Sequence, residues 1–485
     1  MRQETPAPDG SVVLPRRGQG ALPLASTWVR DRVPAAASLG PWAGHLALVA
    51  LLAGTVVLVA FATSGNSILV PRSGVEFPGW EAGPLAGLFG HPWMSRFGMT
   101  FDYSALVGAM TVAYLAAVAA ARSLSMRTIA AAVVALNLVL LMSPPLQLND
   151  VFNYIGYARL GSLHGLNPYT HVIQNEAFDP VFRLTSWWNL SSPYGPLFTA
   201  LSYPLAWLPL PAAYWVLKLV TIALSLGFLW CVARTARLLG RDPRPAVLFV
   251  AANPIYLFYE LGGFHNDLFM LLPSTAAVAL LLARRDRAAG AALVVAVAVK
   301  FTVVVLLPFL LIAARPPDRR LRVLTGALAA AIPLALMSVA LFGLSLPNLG
   351  VQSGLITGLS LPNLLGLAAG TGGATHAVMR VVNVGVVLVV LAGLRRRDWV
   401  AAAGWAQLAL VASMAWLMPW YIVWVLPLAA VAGSARLRRG AVAFTVFLVV
   451  TFAPATNWFL HTHDVRPMNT PVGNAALAYQ RHYQR

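Results

Sequence analysis

Residues 193–208 read PYGPLFTALSYPLAWL. The stretch is apolar and nearly long enough to cross a bilayer, which takes roughly 20 residues of helix. It also holds three prolines, Pro193, Pro196 and Pro204. Its reading decides on which side of a membrane every later loop lies. Thirteen other apolar segments can be marked, at 43–63, 103–121, 128–146, 211–233, 245–260, 267–284, 288–300, 301–314, 322–343, 375–394, 399–416, 418–433 and 440–457. Basic clusters lie between them: Arg16/Arg17/Arg30/Arg32, Arg122/Arg127, Arg234/Arg237/Arg241/Arg244, Arg284/Arg285/Arg287, Arg315/Arg319/Arg320/Arg322, Arg395–Arg397 and Arg436/Arg438/Arg439. Let the N-terminus be cytoplasmic, each of the thirteen segments cross once, and 193–208 not cross. All these clusters then fall on the cytoplasmic side, as the positive-inside rule asks. Counting 193–208 as a crossing puts the later arginines outside. The stretch therefore reads as a juxtamembrane helix on the outer face.

Composition agrees with an all-α polytopic membrane protein. Of 485 residues, 59% are hydrophobic and 10% charged, with a mean hydropathy of +0.71. Soluble domains carry roughly 25% charged residues. The net charge of +18 and the pI near 10.9 would suggest nucleic acid in a soluble chain. Here the basic residues are explained by topology, so no nucleic-acid partner is expected. Cys231 is the sole cysteine, which excludes an intrachain disulfide and a cysteine-based metal site. The first apolar run begins near Pro41, too far in and too long for a cleavable leader. It reads as a retained helix, despite the weak cleavage-like AFA at 60–62. The expected organisation is a cytoplasmic tail, 1–42, a transmembrane domain, 43–457, with a large external loop, 147–210, and an external tail, 458–485.

Polar chemistry gathers on the outer face. Of 16 acidic residues, Glu76, Glu81, Asp102, Asp150, Glu176, Asp179, Glu260, Asp267 and Asp464 fall outside in this topology. A repeat, GLSLPNL, occurs at 343–349 and 358–364. Its Pro-Asn turns read most simply as two helix-capping turns in one long loop.

Four stretches could carry chemistry. In LNDVFNYIGYARLGSLHGLNPY, 148–169, Asp150, Asn153, Tyr154 and Tyr157 share one helical face by their spacing. That face is either a polar cap with an interfacial aromatic belt or a site built from a carboxylate, an amide and two phenols. In NPIYLFYELGGFHNDLFM, 253–270, a Gly-Gly turn joins Glu260 to His265, Asn266 and Asp267. A helix cap needs one such residue; four beside the same surface as Asp150 favour a site. Lys300 lies where ALVVAVAVK meets FTVVVLLPFLL. A lysine at the bilayer centre costs about 2.5–3.5 kcal/mol, so two separate crossings with Lys300 at the outer interface are expected. There it either snorkels or pairs with an anionic head group. In MPWYIVWVLP, 418–427, Trp420, Tyr421 and Trp424 suit a membrane belt or a sugar-stacking platform, and Tyr169, Trp187, Trp188 and Tyr194 pose the same choice. No Walker A, HExxH or nucleophile-elbow pattern occurs. His461, His463 and Asp464 form a small cluster that reads as a solvated tail.

Together, NDVFNY…GLNPY…SPYGPLF, NP…GGFHNDLFM and PWYIVW resemble the membrane glycosyltransferases of the C type (GT-C), which use polyprenyl-phosphate sugars. The resemblance covers roughly residues 100–435 and is strongest to polyprenol-phosphate-mannose-dependent alpha-mannosyltransferases of high-GC Gram-positive bacteria, enzymes of cell-envelope mannan and lipoglycan synthesis. The chain departs from that pattern at the front, where two extra helices and the loop 64–102 precede the key loop.

The resemblance implies a GT-C fold of about 13 transmembrane helices. It implies transfer of a hexose, mannose foremost, from a polyprenyl-phosphate donor to a cell-envelope glycolipid or polysaccharide, with inversion, on the external face of the plasma membrane. Asp150 is the expected general base, with His265 or Asp267 next. Lys300 is expected at the leaving phosphate, with Arg159 in reserve. Asn153, Tyr154, Tyr157, Asn167, Tyr169, Tyr194, Glu260, Asn266, Trp420 and Tyr421 complete the expected substrate-binding set. A monophosphate leaving group does not require a divalent metal by its charge, so no cofactor and no metal are expected. Two alternatives stand beside this reading: the same fold using lipid-linked glucose or arabinose, and a lipid or sugar transporter or flippase. Transport would favour charges within helices, and Lys218 is the one charge well inside a marked segment.

Overall fold

The computed structural model describes residues 40–63, 69–70, 78–88, 96–347 and 349–484, with the side chains of 96–98 excepted. The expected cytoplasmic tail is outside this set up to residue 39, and so is much of the 64–102 loop. Among the described residues the chain is helical and contains no β-strand. Five helices are long and apolar enough to cross a membrane: Pro41–Thr63, Met99–Ser123, Leu210–Leu238, Pro317–Phe342 and His376–Leu394. A sixth arises if Ala435–Phe452 and Pro454–Thr462, bent by 59°, form one span.

The remaining apolar segments are helical but shorter or broken, and the sequence shows why. Segment 245–260 becomes the helix Pro243–Ala251, which stops at Asn253-Pro254, and then the π-helical turn Tyr256–Leu261. Pro254 has no N–H to continue the ladder, and Asn253 Oδ1 accepts instead from the Ile255 amide at 3.0 Å. The helix Asp286–Val299 ends where Lys300 turns extended, and the chain continues as the 3-10 turn Phe301–Leu306 and the helix Leu307–Ala313. Hydropathy alone marks apolar length and is blind to such breaks. The first GLSLPNL copy closes the helix Pro317–Phe342, and the second opens Leu361–Ala368.

The 193–208 stretch forms the helix Pro196–Ser202, seven residues long, and the 3-10 turn Tyr203–Trp207. A helix of seven residues is far too short to span a bilayer. Pro196 stands where a missing N–H costs nothing, at the first turn. Gly195 sets how the stretch docks. A Cβ there would lie 2.3 Å from the Ala298 carbonyl oxygen, so only glycine fits. The Gly195 amide donates to the Val299 carbonyl at 3.1 Å, immediately before Lys300.

Two of the long helices, Pro317–Phe342 and His376–Leu394, bury only 17% and 6% of their most apolar stretches. Their bare leucines and valines need a lipid environment. Lys218, inside Leu210–Leu238, is fully buried. Its ammonium donates to the Ser143 carbonyl at 2.6 Å and sits 3.9 Å from the Trp215 ring centre, which compensates the lost hydration. The tail is partly exposed, at His461, His463 and Asp464, but Pro471–Tyr483 folds back as a helix. Asn189 Nδ2 donates to the His482 carbonyl at 3.0 Å, and Tyr479 packs on Gly354.

Gly195→Ala should destabilise the protein by about 1–3 kcal/mol, the usual cost of forcing atoms into a filled contact. Thermal unfolding in detergent reads this directly; an unchanged Tm would show that the backbone contact does not constrain the fold.

Candidate active site

Asp150 is the first residue of the helix Asp150–Ser162, where a carboxylate is favoured by the helix dipole. Asn153, one turn on, donates to Asp150 Oδ1 at 3.4 Å and accepts from the Ser186 and Trp187 amides at 3.2 and 3.3 Å. It thereby ties the helix to the loop that presents Trp187. The Tyr154 hydroxyl accepts from the Asn266 amide at 3.1 Å, which joins this helix to the 262–267 turn.

That turn is tightly made. Gly263 has no room for a side chain: a Cβ would stand 2.3 Å from the Tyr259 carbonyl oxygen and 2.7 Å from His265 Nε2. The turn brings His265 Nδ1 to 3.5 Å from Asp150 Oδ2 and stacks the imidazole on Trp420, with ring centres 3.9 Å apart. Asp267 then opens the helix Asp267–Leu282. Its Oδ1 accepts from Lys300 Nζ at 2.7 Å and from Trp424 Nε1. Lys300 Nζ lies 5.0 Å from the Trp424 ring centre and 5.4 Å from that of Tyr421. Trp420, Tyr421 and Trp424 are buried in this wall, which makes them part of the protein interior and not a lipid belt.

These groups line one cavity of about 1040 Å³. Of the expected site residues, Asp150, Tyr154, Tyr157, Tyr194, His265, Asn266, Asp267, Lys300, Trp420 and Tyr421 reach it. The other five stand off its wall. Asn153 serves the loop contact described above. Glu260 is fully buried behind the turn. Asn167 Nδ2 donates to the Phe342 carbonyl at 2.8 Å, and the Tyr169 hydroxyl donates to the Tyr194 carbonyl at 2.9 Å. Arg159 is engaged by Asp179 at 2.9 Å, with His164 Nε2 also 2.9 Å from that carboxylate. Among the described residues no group of three or more His, Cys, Asp or Glu side chains is placed to hold a metal.

The family follows from comparison with known proteins. The model of the alpha-(1->6)-mannopyranosyltransferase N-terminal domain matches residues 51–315, and that of glycosyltransferase family 87 matches residues 193–454. The chain belongs to the GT-C membrane mannosyltransferases. Among relatives, alpha-(1->6)-mannopyranosyltransferase A of Mycobacterium tuberculosis is 28% identical over 350 residues, 65% of this chain and 67% of its own. The protein of the same name from Corynebacterium glutamicum is 27% identical over 180 residues, 35% of each chain. A second alpha-(1->6)-mannopyranosyltransferase of M. tuberculosis is 30% identical over 141 residues, 28% of this chain and 24% of its own. No solved structure matches.

Several cavity residues of this glycosyltransferase escaped the sequence reading. His376, Met379, Arg380 and Asn383 reach the cavity from the helix His376–Leu394, and Gln480 and Gln484 reach it from the C-terminal end. The signal for the first group was present: HAVMRVVN repeats polar residues at i, i+4 and i+7 within an apolar segment. For the glutamines, nothing local announces that the tail folds back.

The Arg159–Asp179 pair anchors the loop that follows the Asp150 helix. Burial alone raises the Asp179 carboxyl, but hydrogen bonds from Arg159, His164 and the Val181 amide outweigh it and hold the group below the usual carboxylate range. A carboxylate depressed by folding contributes stability that is complete above its unfolded pKa, about 3.9, and is lost as pH falls through the folded value. Asp179→Asn should therefore cost about 1–3 kcal/mol at pH 7, where the half-buried Arg159 loses its charged hydrogen-bond partner. It should also flatten the wild type's loss of stability on acidification below pH 4. Unfolding midpoints at pH 7 and pH 3 test both; equal midpoints at pH 7 would show that the pair fastens nothing.

Proposed function

We propose that this glycosyltransferase transfers mannose from a polyprenyl-phosphate donor to a cell-envelope glycolipid or polysaccharide, with inversion, on the external face of the plasma membrane. One observation carries the reading: Asp150, His265, Asp267 and Lys300, drawn from three distant segments, converge with buried aromatic rings on a single cavity. The names of the relatives support mannose as the sugar.

The acceptor hydroxyl attacks the anomeric carbon, and the bond from that carbon to the phosphate oxygen breaks. Asp150 takes the hydroxyl proton. It is the better base because its carboxylate faces the cavity without a lysine or arginine partner among the described residues, whereas Asp267 is already paired with Lys300. His265 adjoins Asp150 and can relay or orient the proton. Lys300 offers a phosphate its remaining ammonium hydrogens, since Asp267 accepts only one. Three consecutive residues each keep a buried polar atom without a partner among the described residues: His265 Nε2, Asn266 Nδ2 and Asp267 Oδ2. Buried polar atoms demand partners, and sugar hydroxyls supply both donors and acceptors. A monophosphate leaving group does not by its charge require a divalent metal, so we assign the reaction as metal-independent.

The proposed topology keeps thirteen crossings, short and broken ones included, with the N-terminus cytoplasmic and 147–210 and 458–485 external. It also keeps 43–457 as the transferase domain, and it rests on the arginine clusters.

Transfer from radiolabelled polyprenyl-phosphate-mannose in membranes should fall at least a hundredfold in Asp150→Asn, in line with loss of a general base. Activity in wild type should persist in excess chelator. Retained turnover in the variant would remove Asp150 as the base. Topology is checked by cysteine labelling with an impermeant reagent in intact cells. Phe178→Cys, at a fully exposed position, should react from outside, and Arg285→Cys and Arg397→Cys only after permeabilisation. The reverse pattern at any one would require a different count of crossings.

A further inference from the structure

We infer that Arg380 binds the phosphate of the lipid-linked donor; this rests on the donor class proposed above. The helix His376–Leu394 packs one side on its neighbours, Phe309 and Ala402 meeting Gly393, and buries only 6% of its most apolar stretch. On such a helix a charge is expensive, about 2.5–3.5 kcal/mol at the bilayer centre and less toward its edge. Yet Arg380 stands one turn into it and faces the cavity beside His376, Met379 and Asn383. Among the described residues its guanidinium makes no hydrogen bond or ion pair.

Charge within the cavity explains the arrangement. Its formally charged lining groups are Asp150, Asp267, Lys300 and Arg380. Asp267 neutralises Lys300 at 2.7 Å. Arg380 is therefore the one lining lysine or arginine, among the described residues, that lacks an acidic partner. A guanidinium offers a planar fork of donors suited to phosphate oxygens. The same cavity is lined by Phe301, Leu346 and Leu349, large apolar side chains that stay exposed. An isoprenoid chain can lie along them while its phosphate meets Arg380.

Transfer also changes the charge that Arg380 meets. The donor is a phosphodiester with one negative charge. When the bond between the anomeric carbon and oxygen breaks, both electrons stay on the phosphate oxygen, the proton from the acceptor goes to Asp150, and the phosphate becomes a monoester carrying more negative charge. A cation at the phosphate therefore gains interaction as the reaction proceeds and favours the transition state over the bound donor.

Farnesyl phosphate is the probe, with farnesol as its uncharged control, bound to the purified full-length protein in neutral-lipid nanodiscs. R380Q should weaken farnesyl phosphate binding at least tenfold and leave farnesol binding unchanged, with R380K in between. Equal farnesyl phosphate affinity in wild type and R380Q would overturn the assignment of Arg380 and leave the donor class standing. Absence of binding by wild type would overturn the donor class and the assignment with it. A second measurement needs no variant: farnesyl phosphate should slow modification of Arg380 by an arginine-selective dicarbonyl, located by mass spectrometry, and farnesol should not. Equal modification rates would overturn the proposal. So would protection by phosphatidylglycerol nanodiscs alone, which would assign Arg380 to bilayer head groups.

Discussion

A buried carboxylate with a lysine on one side and an indole on the other holds the reactive part of this molecule together. Asp267 begins one helix, Lys300 ends another, and Trp424 belongs to a turn more than a hundred residues later. Their hydrogen bonds meet on one oxygen. Removing one partner from a buried pair costs about 3–5 kcal/mol because the other charge is stranded. The contact therefore restricts where each segment can end. It also bears on where the helix Asp286–Val299 stops: from extended backbone at that point Lys300 reaches Asp267.

The same contact divides the roles of the two cavity carboxylates. Asp267 is buried and paired, so its charge is balanced before any substrate arrives. Asp150 sits 3.5 Å from an imidazole nitrogen, at a helix start that opens onto the cavity. One carboxylate holds the scaffold, and the other is the base of the proposed mechanism. Gly263 and Gly195 are the backbone counterparts of this division. Each permits an approach that no side chain would allow, and each lies beside a group the site needs, His265 in one case and Lys300 in the other.

Much of this was legible in the sequence because membranes write their constraints in composition. Apolar runs and arginine clusters foretold a helical membrane chain, and the prolines of 193–208 foretold a broken helix there. The convergence of Asp150 with the 262–267 turn was readable from polar residues that no apolar helix needs. Less legible was the fate of individual side chains. Arg159 resembled a reserve phosphate ligand because its partner, Asp179, lies 20 residues away in a loop without periodicity. Asn153 shares a helical face with Asp150, but spacing cannot show that a returning loop will occupy its amide. Hydropathy likewise measured the 245–260 run without seeing that Asn253-Pro254 divides it.

Arg380 was passed over for the opposite reason. Its segment is so apolar that an arginine there reads as noise on a membrane helix, although His376 and Asn383 mark the same face, and the three-dimensional arrangement shows that face turned to the cavity. The physical lesson concerns charge and not pattern. An arginine on a helix so little buried must meet water, a counter-ion or a ligand, and Lys300 already holds the Asp267 carboxylate. Arg380 and Lys300 thus stand in different electrostatic states at one cavity, the first with its charge unmet and the second with its charge balanced. A phosphate entering that cavity gains most from the unmet charge, while the balanced lysine can still donate hydrogen bonds to it. In this arrangement attraction of the anion and orientation of its oxygens fall to different residues.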